Sequence, residues 1–285
     1  MATDDLGTMV NDLGKFLDKA RSRNIAVTIV LWNGATALPS DDNLKNLFLD
    51  EDKLQSYIDN ALVPMVTALS DKQALASWEI INEPEGNVRN NETHANPCHD
   101  TTRLAGSGAG WGGANIPMYN IQRFVNWQMA AIKEADPKAL VTVGSWNEKP
   151  QNDAYSDSFN YYKDECLRAA GGRSSGIMDY YQMHTYAQKG QWQTNAPFAV
   201  KGDSYNLDKP LVIGEFSQVG SPADWNDITR QFNHAYYEWY QGAWSWQANG
   251  GGHNADDFDT QARGTRHLQG RNDQTKGGRV NFVFE

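Results

Sequence analysis

Short runs of β-branched and apolar residues alternate along this chain with longer stretches in which apolar residues recur every three or four positions. That alternation leaves few folds open. Asn24–Trp32 is a continuous apolar run, and it predicts a strand buried on both faces, as in a parallel sheet. Ahead of it, Leu6, Met9, Val10, Leu13, Phe16, Leu17 and Ala20 form a single helical stripe. The pair then repeats. Leu54, Tyr57, Ile58, Ala61, Leu62, Met65, Val66 and Leu69 predict a helix in which Pro64 introduces a kink. Ala74–Ile81 predicts a strand running into Asn82-Glu83-Pro84. A polar, Gly-rich loop over roughly 85–116 follows, and a loop of that length is usually functional or disordered.

Further units follow the same order. A helix carrying Ile121, Phe124, Val125, Gln128, Met129 and Ile132 closes at Pro137, before a strand over Leu140–Trp146. Another helix is expected around 158–170, then strands over Met178–Tyr186 and Pro210–Phe216. A helix with Trp225, Ile228, Phe232, Ala235, Tyr236 and Trp239 is stopped by Gly242, and Ala243–Gln247 starts the next strand. Residues 250–278 read as a polar, Gly-rich tail, with Val280–Phe284 as a short closing strand. Strands alternating with amphipathic helices imply parallel βαβ units, in either an open doubly wound sheet or a (β/α)8 TIM barrel. No Gly-x-Gly-x-x-Gly follows a strand, which weakens the nucleotide-binding form. Polar signature residues instead stand at the C-terminal ends of six strands, the rim on which a barrel builds its active face. A full barrel has eight βα units and six are found. The expectation is a single barrel domain over 1–285 whose first two strands and first helix are missing.

A net charge of −10, from 35 acidic and 25 basic residues, argues against nucleic acid or an anionic membrane surface as the main partner. No run of about 18 apolar residues offers a membrane span, and the N-terminus lacks a signal-sequence pattern. Ten Trp and twelve Tyr suit a protein that binds flat apolar faces such as sugar rings. Two cysteines, Cys98 and Cys166, exclude a disulfide scaffold and a four-cysteine zinc site but leave one disulfide and two free thiols both open. Asn91-Glu92-Thr93 is a glycosylation sequon, with meaning only in a secreted chain.

Glu83 and Glu215 are the candidate catalytic pair. Each ends an apolar strand with no Lys or Arg beside it, where a carboxylate costs burial energy. Two carboxylates facing one pocket suit glycoside hydrolysis, one as acid/base and the other as nucleophile. Asn-Glu-Pro after one strand and Gly214-Glu-Phe216 at the end of a later one resemble glycoside hydrolase family 5. Val30–Gly34, Ala76–Gly86, Ser107–Trp111, His184-Thr-Tyr186 and Gly214–Phe216 resemble the invertebrate β-mannanases within it.

The resemblance implies a secreted, monomeric retaining endo-β-1,4-mannanase acting on β-mannan without a cofactor. Glu83 at the fourth barrel strand would be the acid/base and Glu215 at the seventh the nucleophile. Asn82 would bind the sugar 2-hydroxyl, and His184 and Tyr186 would face the same way, with Tyr186 holding the nucleophile. Trp244 would floor the cleaved subsite, with Trp246 further along the rim, and Trp111 would extend the cleft, as Trp32 and Trp146 could. The histidines show no metal-ligand spacing, so no metal is expected. Cys98 and Cys166 would fall in neighbouring segments at the active rim, where secretion would let them pair. The family's second strand supplies an Arg near the nucleophile, and no counterpart is found here. An endo-β-1,4-glucanase and a non-catalytic carbohydrate-binding fragment are the alternatives.

Overall fold

Buried apolar runs become strands and the amphipathic stripes between them become helices. The computed structural model describes residues 7–34, 42–249, 251–252 and 254–271. The expected closing strand over Val280–Phe284 lies outside these residues. Two compact units divide the chain. Among the described residues, one takes those up to 144 together with 160–179, and the other takes 145–159 and those from 180 to 271.

In the first unit, α1 (Met9–Arg21) precedes β1 (Val27–Val30), and α2 (Asp42–Leu49), α3 (Glu51–Tyr57) and α4 (Val63–Leu69) lead to β2 (Leu75–Asn82). The long α5 (Met118–Ala135) leads to β3 (Val141–Ser145), and α6 spans Asp164–Gly171. β1 runs parallel to β2, and β2 runs parallel to β3. The helical stripe ahead of β2 does not break at Pro64. Ile58–Leu62 forms a π-turn in which Val63 N–H donates to Ile58 O, and α4 restarts with proline at its first turn. Widening the turn there accommodates a residue that cannot donate its own N–H.

One expectation about this unit is corrected. β1 is not buried on both faces: Val30 is 48% exposed, and among the described strands β1 pairs with β2 alone. β3, by contrast, is buried along its whole length.

In the second unit, β4 (Tyr181–Thr185), β5 (Leu211–Phe216) and β6 (Gly242–Ser245) pair in parallel, with α7 (Ile228–Tyr237) between the last two. Gly242 begins β6 rather than ending the helix before it; α7 already ends at Tyr237, and Trp239 turns the chain at φ +70°. The segment read as a polar tail holds a further helix, α8 (Phe258–Leu268). Asp257 caps it, accepting from Thr260 N–H at 2.7 Å. Its buried contact is a glycine. A Cβ at Gly264 would stand 2.5 Å from the Phe232 ring of α7, so the absent side chain lets the two helices close together.

Candidate active site

Apart from a shift at the start of β1 against β2, irregular pairing falls toward the C-terminal ends of the strands. Against β3, β2 carries one residue more between Glu79 and Asn82. Against both β4 and β6, β5 carries one residue more at Gly214–Glu215. An extra residue of this kind bends a strand and re-aims the side chains after it. Gly214 explains itself sterically, because a Cβ there would overlap the Gln182 side chain of β4.

In the first unit, Asn82 closes β2. Its N–H donates to Trp32 O at 2.8 Å and its carbonyl accepts from Gly34 N–H at 2.8 Å. Glu83 comes next in the left-handed region, at φ +47° and ψ +55°, with its N–H donating to Gly144 O at 2.6 Å. That conformation costs a non-glycine residue about 1–2 kcal/mol and turns the chain sharply into Pro84–Asn87. Glu83 remains partly open to solvent, whereas Glu85 is wholly buried. Tyr162 donates its hydroxyl to Glu85 Oε1 at 2.6 Å. Burial, and then the Glu85 carboxylate, hold the Tyr162 hydroxyl well above the usual phenol range, so the proton stays on the tyrosine. The Glu85–Tyr162 bond was not foreseen from sequence. Only the two-residue step from Glu83 hinted that one carboxylate points out and the other in.

The 85–116 segment is built onto this turn. Gly110 N–H donates to Glu85 O at 2.9 Å and Gly112 N–H to Gly86 O at 2.6 Å. Between them the Trp111 indole lies over Gly86, where a Cβ would come within 2.8 Å of the ring. Trp111 is 45% exposed. Trp32 is more enclosed: its ring edge meets Tyr57 and Phe124, and Nε1 donates to Gln128 Oε1 at 3.1 Å. Cys98 and Cys166 are joined by a disulfide, their Cα atoms 5.3 Å apart, tying the long loop to α6.

In the second unit, Glu215 ends its strand with 18% of its side chain exposed. Tyr186 donates its hydroxyl to Glu215 Oε2 at 2.8 Å, and His184 Nδ1 stands 3.5 Å from the same oxygen. His184 and Tyr186, two residues apart, thus both reach Glu215. Trp146 is partly exposed at the end of β3. Trp244 lies between Ala243, opposite Ile213, and Ser245, opposite Phe216, and so runs beside the extra residue of β5; it is 43% exposed. Trp246, just past the strand, is 37% exposed. Asp256, in the segment read as tail, braces this end. Its N–H donates to Trp246 O, and its carboxylate accepts from Ser217 Oγ at 3.2 Å and Gln218 N–H at 3.3 Å. Burial pushes the Asp256 carboxyl up, and these donors pull it partly back.

A family model described as cellulase (glycosyl hydrolase family 5) matches residues 3–252. The chain belongs to glycosyl hydrolase family 5. Two curated relatives of this family 5 chain are mannan endo-1,4-beta-mannosidases. That of Cryptopygus antarcticus is 49% identical over 98% of this chain and 72% of its own length, and that of Mytilus edulis is 43% identical over 96% and 72%. Among solved structures, the endo-1,4-beta-mannanase from Eisenia fetida superposes with a TM-score of 0.91 at 56% identity, covering 95% of this chain and 73% of that one.

Proposed function

We propose that this family 5 chain is an endo-β-1,4-mannanase that cleaves internal bonds of mannan, glucomannan or galactomannan with retention of configuration. The observation that carries the reading is its likeness to mannanases of 43–56% identity over nearly the whole chain. The six parallel strands then belong to a (β/α)8 barrel, and the two units act as one catalytic domain.

Glu83 serves as acid/base. It protonates the glycosidic oxygen as the leaving sugar departs, and later takes the proton of the attacking water. Glu215 is the nucleophile, bonding to the anomeric carbon to form a glycosyl-enzyme that the water then opens. The Tyr186 hydroxyl, with His184 beside it, fixes one Glu215 oxygen and so directs the other. Asn82 binds the 2-hydroxyl of the sugar being cleaved. Trp244 supplies a flat apolar floor and Trp111 extends the cleft; both present exposed indoles. The protein works outside the cell. The Cys98–Cys166 disulfide supports this placement, since such bonds persist in oxidising compartments. No described helix is long and apolar enough to cross a membrane.

The test is reducing-sugar release from galactomannan, glucomannan and carboxymethylcellulose by the parent, Glu83→Gln and Glu215→Ala, with folding checked by circular dichroism. Both mannans should be cleaved well ahead of carboxymethylcellulose, and both variants should be folded and inactive. A folded parent that prefers carboxymethylcellulose would make it a glucanase. A folded parent that binds galactomannan without cutting it would make it a binding protein.

A further inference from the structure

The 85–116 segment carries the chain's one Asn-x-Ser/Thr sequon, Asn91-Glu92-Thr93, with neither Glu92 nor His94 a proline. Its backbone is held firmly. Asn91 N–H donates to Thr101 O at 3.3 Å, Glu92 N–H donates to Thr101 Oγ1 at 2.9 Å, and the Thr101 hydroxyl donates to Arg89 O at 2.7 Å. Arg89 also pairs with Glu92 at 3.0 Å. The side chains of the acceptor Asn91 and of Thr93, the sequon hydroxyl, are free of this clamp. Asn91 and Thr93 are both exposed, and neither side chain makes a hydrogen bond. The contrast with the preceding residue is sharp. Asn90 turns inward, where its Nδ2 donates to Ala109 O at 2.9 Å. Asn91 sits at φ +58°, a left-handed turn that asparagine tolerates and that swings its amide outward. A bulky group on Asn91 Nδ2 would displace nothing packed.

A second observation stands five residues beyond the sequon. Cys98 of the same loop is disulfide-bonded to Cys166. A disulfide of this kind persists in oxidising compartments such as the secretory pathway, where sequons are modified. We infer that Asn91 is an N-glycosylation site. In the transfer, Asn91 Nδ2 bonds to C1 of the first N-acetylglucosamine of a lipid-pyrophosphate-linked oligosaccharide. The bond from C1 to the pyrophosphate oxygen breaks, the lipid pyrophosphate leaves with that electron pair, and the amide nitrogen gives up one proton. The glycan then stands on the clamped turn. The inference rests on the extracellular reading above.

The test expresses the chain behind a secretion leader in insect cells and examines protein from both cells and medium, so that unsecreted chain is scored as well. Intact mass and peptide mapping are read before and after peptide-N-glycosidase, and the thiols are titrated on the same samples. Expected are most molecules carrying one oligosaccharide, and an aspartate at 91 after enzymatic release. Asn91→Gln and Thr93→Ala should abolish the modification, and Thr93→Ser should keep it. Disulfide-bonded chain in the medium with an unmodified Asn91 peptide overturns the inference and leaves the extracellular reading standing. A glycosylated chain retained in cells with reduced thiols does the reverse.

Discussion

The Tyr186 hydroxyl and Glu215 Oε2 are 2.8 Å apart, across neighbouring strands whose register places His184 opposite Glu215. A hydrogen bond to a charged group contributes about 1.5–3 kcal/mol, and each 1.4 kcal/mol is about tenfold in rate. Tyr186→Phe should therefore lower kcat on galactomannan by about 10- to 100-fold, and because the same bond is present in the resting fold it should also lower the thermal midpoint by several degrees, at about 2–4 °C per kcal/mol. An unchanged kcat would mean that the Tyr186 bond to Glu215 plays no part in turnover.

Gly214 and Gln182 test the extra residue of β5. Gly214→Ala forces a Cβ into the Gln182 side chain, and overpacking of this sort costs about 1–3 kcal/mol. Shortening the neighbour in Gly214→Ala/Gln182→Ala should recover much of that loss. A double-mutant cycle by chemical denaturation reads the coupling, and additive losses would show that the two sites do not meet.

The disulfide closes a loop of 68 residues. Chain-entropy arguments assign such a cross-link about 4 kcal/mol. Cys98→Ala/Cys166→Ala should melt roughly 10 °C lower by calorimetry, at about 2–4 °C per kcal/mol for a chain of this size. A loss of activity beyond the loss of folded protein would show that the loop also orders residues needed for turnover, with Trp111 the proposed one.

Glu148 supplies a pH-dependent signature. It is buried, and burial raises its pKa above the usual 4.5, against the opposing pull of its own backbone N–H and of Lys149. The native state holds this proton to higher pH than the unfolded chain does. Its contribution is thus present below about pH 4.5 and is lost as pH rises through the native pKa. Glu148→Gln cannot ionise, so its midpoint should gain on the parent's between pH 4 and pH 7. A constant difference across that range would refute the assignment.

Strands could be read from sequence because parallel strands buried on both sides are written as unbroken apolar runs, as at Leu211–Ile213. The Asn82-Glu83-Pro84 turn was readable because its residue types are chemically unusual at a strand end. Helix α8 was not, because the residue it buries against α7 is Gly264, and glycine normally signals the end of a helix. Glu85 and Asp256 escaped for a related reason. Their roles lie in bonds to Tyr162 and Ser217, far off in sequence, and a single carboxylate does not announce a distant partner. The order of the 85–116 segment was hidden as well, since main-chain bonds and the Cys98–Cys166 link hold it rather than any apolar stripe.

The left-handed backbone at Glu83 has a consequence for how this turn evolves. Glycine occupies that region without penalty, so Glu83→Gly should melt above Glu83→Ala, by about 1 kcal/mol of stability. Folding alone would let position 83 drift toward glycine unopposed. With Glu83 as the proposed acid/base, selection on turnover is what would keep a carboxylate on a backbone that disfavours it, and the residue at this turn would then separate lineages that use the activity from lineages that keep only the fold.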